Sequence, residues 1–265
     1  MNQVANKKQT LPQSVSLEEF SGQGQEYITA RDTKLPILKL LSSNSPVLNP
    51  SDAKYNEKAK QGDIYNEITN SLYRGNEGVL VVPCLYMNTF NEWADRGDSP
   101  GRPIQIHRDA SIINQTQRGD DGRDRLQNGN YVEDTGNHFV YILDKNYTPI
   151  EQALITMKST QKKKSKLWNS MMQSRRLEGK KGFFTPPSWA TVYRLGTVQE
   201  SNSKGNWPGW SVVFDSYLDK PEHSGILKLT KSFYESAMES DIFGKVDFKD
   251  EKTQTKAPIK EDVPF

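Results

Sequence analysis

Residues 153–177 read ALITMKSTQKKKSKLWNSMMQSRRL, and the period of the apolar residues changes inside this stretch. Ala153–Met157 is a short apolar run of the kind that forms a buried strand. Ser159 or Thr160 then offers a helix cap. Leu167, Trp168, Met171 and Met172 recur at the three- and four-residue spacing of one helix face. The helix is expected to run to about Leu177, with Gly179 and Gly182 ending it.

Working outward, the chain reads as strands on both sides of this helix. Upstream, Val79–Val82 is the clearest strand and continues through Pro83 toward Trp93; a proline inside it predicts an edge position or a bulge. Tyr131–Glu133 and His138–Leu143 flank Asp134-Thr135-Gly136-Asn137, a composition that predicts a hairpin turn. Residues 96–130 are rich in Gly, Arg, Asp and Gln and predict a long insertion or mobile loop. Downstream, Trp189–Val198 and Trp210–Tyr217 return to aromatic and β-branched residues. Leu227–Met238 predicts a last helix. Three strand regions, a helix and two more strand regions is the order of an OB-fold, a small Greek-key barrel that binds oligonucleotides on one face. The expected fold is therefore mainly β, a β-barrel with helices: an OB-fold-like core with extensions and disordered termini. Residues 1–25 are expected to form a disordered arm with a short turn near Leu17–Phe20, 26–243 the domain, and 244–265 a flexible tail.

Composition narrows the function classes. Hydrophobic residues make up 34% and charged residues 26% of the 265, a core diluted by polar loops and tails. A single cysteine, Cys84, excludes internal disulfides and multi-cysteine zinc sites and fits a reducing compartment. It lies in the apolar run Val79–Leu85, where a buried small hydrophobe is the expected role. No segment has the length of a membrane span and the N-terminus has no signal-peptide core, so a cytoplasmic protein is expected. Net charge is only +2. A nucleic-acid binder of this composition must segregate its charges.

Such segregation is visible. Between Lys158 and Lys181 stand Lys158, Lys162, Lys163, Lys164, Lys166, Arg175, Arg176, Lys180 and Lys181 against one acid, Glu178. Clustered cations displace the counterions condensed on a phosphate backbone without reading sequence. A solvated helix face accounts for any one of these lysines; the whole cluster points to phosphate. Aromatic residues supply the second half of a single-strand site, because every base has a face that stacks on a ring. The candidates are Tyr86, Trp93, Tyr141, Trp189, Tyr193, Trp207 and Trp210. Most aromatics of a β-barrel are core. Trp207 stands apart because Ser203–Gly209 has the composition of a turn, joining the two strands whose connecting loop contacts ligand in OB-folds. At the end, Glu261, Asp262, Val263, Pro264 and Phe265 carry a ring and a free carboxylate at the tip of a tether, a shape that fills an apolar pocket beside a basic residue of a partner.

That tip resembles the acidic Pro-Phe ending of bacterial single-stranded DNA-binding proteins. The body resembles phage-encoded single-stranded DNA-binding proteins, through Asp32-Thr33-Lys34-Leu35-Pro36, Gln61-Gly62-Asp63, Met157-Lys158-Ser159-Thr160-Gln161 with Trp168, Tyr193-Arg194, Gly205-Asn206-Trp207 and Gly209-Trp210. The resemblance implies sequence-independent binding of single-stranded DNA and recruitment of replication or recombination proteins through the tip. The chain departs from the bacterial pattern between Lys245 and Lys260, where lysines balance the acids.

Catalytic signatures are lacking: there is no phosphate loop and no His-Glu-x-x-His, and His107, His138 and His223 lie far apart. The expectation is a binding protein, not an enzyme, with no metal and no cofactor. Two rivals remain open: a recombination mediator or transcription co-activator acting mainly through protein contacts, and a nuclease whose carboxylates assemble only in space.

Overall fold

Strands form where apolar runs can be buried on both faces, and five such runs build the body of the protein. The computed structural model describes residues 17–28, 32–95, 102–203 and 205–239. In chain order the strands are β1 (Leu38–Leu40), β2 (Ile64–Asn66), β3 (Leu72–Tyr73), β4 (Val79–Trp93), β5 (Gln105–His107), β6 (Gln117–Arg118), β7 (Asp124–Arg125), β8 (Tyr131–Leu143) and β9 (Pro149–Lys158). Helix α1 (Lys162–Ser174) follows, then β10 (Leu177–Gly179), β11 (Gly182–Phe184), β12 (Thr191–Asn202), β13 (Gly205–Tyr217) and helix α2 (Ser224–Glu239).

The long strands pair antiparallel in the order β9-β8-β4-β12-β13. They curl into a half-barrel. In chain order these strands are β4, β8, β9, β12 and β13, with α1 between β9 and β12, the connectivity of the partly open Greek-key barrel expected from the sequence. β9 and β13 end the run, and β1 packs against both. The Leu154 N–H donates to the Pro36 carbonyl at 2.8 Å, and Ile37 bridges Leu154 in parallel.

Alternation along the strands sorts two cores. Val79, Val81, Val140, Ile142, Ile155, Met157, Tyr193, Leu195 and Trp210 face inward and enclose Trp168 of α1. Leu80, Val82, Cys84, Phe139, Leu154 and Val192 face outward, where α2 covers them with Ile226, Phe233 and Ala237. Ile226, Thr230, Phe233 and Ala237 are the buried stripe of α2 at helical spacing. Covering both faces explains why these strands read as unbroken apolar runs rather than as alternating ones.

Several local expectations change. The segment Asp134–Asn137 is no turn: β8 runs straight through it, paired to β4 and β9. Gly136 is there for close approach, since a Cβ would lie 2.3 Å from Ser165 Oγ of α1. Pro83 sits at a bulge, with the register shifting between Pro83 and Leu85, inside a strand that is central rather than edge. Ser159 and Thr160 form a 3-10 turn and do not cap α1, which starts at Lys162 without a side-chain cap. The helix stops at Ser174 because Arg175 turns extended, and Leu177–Gly179 becomes a strand of a hairpin. Within 96–130 the described residues are structured as β5, a 3-10 helix at Ala110–Gln115, β6 and β7. The described residues before Leu35 belong to a unit of their own, with the expected turn at Leu17–Phe20; residues 1–16 of the arm and the tail 244–265 lie outside the described residues. No helix among the described residues is long and apolar enough to cross a membrane.

Candidate nucleic-acid interface

Across β8 and β9, roofed by β1 and by the β6–β7 ribbon, lies an open groove of about 770 Å³. In an OB-fold this is the face that takes ligand, with the connection between the first two barrel strands beside it. Five cations line it: Lys39 from β1, Arg118 and Arg123 from the β6–β7 ribbon, Lys158 at the end of β9 and Lys162 at the start of α1. Asp124, Glu133 and Asp134 are its carboxylates, and Trp93, Tyr131 and Trp210 its rings.

The cations are held in pairs. Lys158 Nζ is 2.8 Å from Glu133 Oε2 and 5.2 Å from the centre of the Trp93 ring. Lys162 Nζ is 2.5 Å from Asp134 Oδ1 and also meets Asn88. Arg118 pairs with Asp124 at 2.9 Å and Lys39 with Glu67 at 2.9 Å. Arg123 reaches Asp95 at 3.3 Å while its guanidinium lies 4.2 Å over the Tyr131 ring. Behind it, Arg125 bonds both Asp95 and Asp121 and holds the two carboxyls below the usual carboxylate range. The Arg118 and Arg123 pairs are of the exposed kind, worth about 0–1 kcal/mol each, whereas Lys39, Lys162 and Glu133 are largely covered. At those two arginines a phosphate oxygen can replace a carboxylate at little cost.

The lysine cluster of α1 divides. Lys158 and Lys162 belong to the groove, whereas Lys163 and Lys164 turn to Glu200 at 3.5 and 3.3 Å. Burial alone would raise the Glu200 carboxyl, but hydrogen bonds from Gln161, Lys164 and Trp207 outweigh it and hold the group below its ordinary value. Gln161 also accepts the Trp210 N–H at 2.8 Å, so it ties the start of α1 to β13. Lys166, Arg176, Lys180 and Lys181 are exposed away from the groove, on α1 and the β10–β11 hairpin. Arg175 is half-buried with its guanidinium 3.6 Å over the Phe214 ring.

The aromatic candidates are mostly covered, some on the inward face of the sheet and some beneath α2. Tyr193 is fully buried and meets Trp168 edge-on at 5.7 Å; it has no face to give a base. Trp93 and Trp210, at 4% and 3% exposure, form the floor of the groove rather than free platforms. Tyr141 and Trp189 lie on the opposite face of the sheet, packed with α2. Tyr86 is half-buried against His138 at 4.9 Å, and its hydroxyl donates to Asn88, the residue that Lys162 also meets. Trp207 is not on a turn. It stands on β13 opposite Glu200, half-buried, and its indole N–H donates to that carboxylate at 3.1 Å. The terminal residues Glu261–Phe265 lie outside the described residues.

Sequence reading missed Lys39, Arg118, Arg123 and Tyr131. The signal for the arginines is the alternation of Arg and Asp over 118–125, which reads as a solvated loop but folds as a two-stranded ribbon, β6 with β7. Among the described residues, no three His, Cys, Asp or Glu side chains gather as a metal site.

Comparison with known proteins finds no significant match among the curated proteins or the solved structures. Residues 5–242, however, match the family described as Pam3 phage gp34-like protein, and this OB-like chain with its cation-lined groove belongs to that phage family.

Proposed function

We propose that the protein binds single-stranded DNA without sequence preference, with the strand lying in the groove over β8 and β9. The supporting observation is the convergence of five cations, from β1, the β6–β7 ribbon, β9 and α1, and three rings, from β4, β8 and β13, on the ligand face of an OB-like barrel. Phosphates would exchange with Glu133, Asp134 and Asp124 for Lys158, Lys162 and Arg118. Tyr131 and the Arg123 guanidinium above it would offer flat surfaces that accept any base. The role is binding and protection of the strand during phage replication or recombination, without catalysis. The same reading gives Glu261–Phe265 the task of engaging replication or recombination proteins.

The test is a titration of tryptophan fluorescence with oligo-dT against duplex DNA of equal length, at low and high salt. Trp93 and Trp210 line the groove and serve as reporters. A change with the single strand only, weakened by salt, is expected. No change and no retained oligonucleotide by filter binding sinks the reading in favour of a protein-interaction role. Magnesium-dependent cleavage of the probe would replace it with a nuclease.

A further inference from the structure

The hairpin of β10 and β11 carries two adjacent phenylalanines that the fold does not bury. Phe183 is 77% exposed and Phe184 46%. The two strands pair Gly179 with Gly182 across a turn made of Lys180 and Lys181. A Cβ on Gly179 would lie 3.1 Å from the Phe184 ring, so Phe184 lies over that glycine and braces the hairpin from within. Phe183 alternates to the other face, beside its cross-strand neighbour Glu178. At the base, Arg176 bonds Thr185 at 2.5 Å and fixes the hairpin to the end of α1.

A ring this open, on a hairpin that carries Arg176 at its base and Lys180 and Lys181 at its tip, matches the chemistry of an unpaired base with its phosphates. It fits an apolar protein groove poorly, because three cations would be desolvated with it. The position also suits a continuing strand. Lys162 opens α1 inside the groove, and thirteen residues at a rise of 1.5 Å put the hairpin about 20 Å further on. Exposed Lys166 lies between, one helical turn on from Lys162.

We infer that the β10–β11 hairpin is a second contact for the same DNA strand, in which Phe183 stacks on a base and Lys180 and Lys181 meet its phosphates. This rests on the groove being the first contact. Phe183→Ala in the full chain, beside Arg118→Gln/Arg123→Gln, is to be titrated by anisotropy with labelled oligo-dT of about 6 and about 30 nucleotides, since one OB-fold occupies roughly 4–16. Phe183→Ala is expected to weaken the long oligonucleotide about tenfold and leave the short one unchanged, with Phe183→Tyr retaining the wild-type affinity for both. Unchanged binding of both lengths by Phe183→Ala, while the arginine variant is weakened, overturns the hairpin contact and leaves the groove standing. No binding of either length by the wild-type chain overturns both. Because Phe183 is exposed, an unchanged melting temperature is expected of its variants, and a drop would mark the ring as structural and overturn the inference.

Discussion

Replacing Arg118 and Arg123 together by Gln tests whether the groove, and not merely a basic surface, holds the strand. Their side chains are 66% and 39% exposed, and the pairs they make with Asp124 and Asp95 are of the exposed kind, so the variant should fold with little loss of stability. Each phosphate contact on a single strand contributes about −0.7 to the slope of log affinity against log salt. With all five groove cations engaged the slope is about −3.5, and affinity falls on the order of 100-fold between about 50 and 200 mM salt. Without the two arginines the slope is about −2.1, and the same change of salt costs only about 20-fold. Anisotropy of a labelled oligo-dT across a salt series reads both slopes. Equal slopes for the two proteins would refute the reasoning, because they would mean that neither arginine meets phosphate.

Three further outcomes are expected. Glu133→Gln with Asp134→Asn leaves Lys158 and Lys162 to phosphate alone, so affinity for oligo-dT should rise a few-fold; a fall would mean that the carboxylates hold the lysines in position. Gly136→Ala puts a methyl 2.3 Å from Ser165 Oγ and should cost about 1–3 kcal/mol in chemical denaturation, partly restored by Ser165→Gly; unchanged stability would contradict the packing of α1 on β8. Burial, aided by the Lys162 charge, pushes His138 down to about 3 from 6.5, so the unfolded chain binds the proton first. Its contribution is whole above pH 6.5 and is lost on descent toward pH 3 at up to about 1.4 kcal/mol per pH unit, a slope of the melting temperature that His138→Phe should flatten and that must otherwise be assigned elsewhere.

Much of the barrel was legible because burial on two faces writes apolar runs into the chain. Val79–Val82 and Ala153–Met157 read as strands for that reason, and Trp168 marked α1 because a helix that plugs the barrel needs one large inward ring. What misled was glycine and charge. Gly136 between Asp134 and Asn137 has the composition of a turn, yet its lack of a side chain serves contact with Ser165 from a helix about thirty residues on, which no local rule can see. The ribbon of β6 and β7 is only two residues per strand and is laced by Arg118–Asp124 and Arg125–Asp121 pairs rather than by apolar alternation, so it looked like a loop.

The lining of the groove was only partly legible: of the predicted residues, Lys158, Lys162, Trp93 and Trp210 line it. A run of lysines does not say where each one points, because that depends on carboxylates far along the chain: Lys158 and Lys162 pair with Glu133 and Asp134 of β8 in the groove, while Lys163 and Lys164 pair with Glu200 of β12 outside it. Period-two alternation likewise separates the rings of a strand into two sets without saying which face is open, and Tyr193 and Tyr141 fell on covered faces of opposite sense. The groove therefore arises from a negative selection as much as from its cations. Each of the five groove cations has a carboxylate partner: Glu67 for Lys39, Asp124 for Arg118, Asp95 for Arg123, Glu133 for Lys158 and Asp134 for Lys162. Such pairing lets a groove lined by five cations coexist with a net charge of only +2. That is the physical reason to expect its affinity to respond more steeply to Glu133 and Asp134 than to the removal of any single lysine from the outer face of α1.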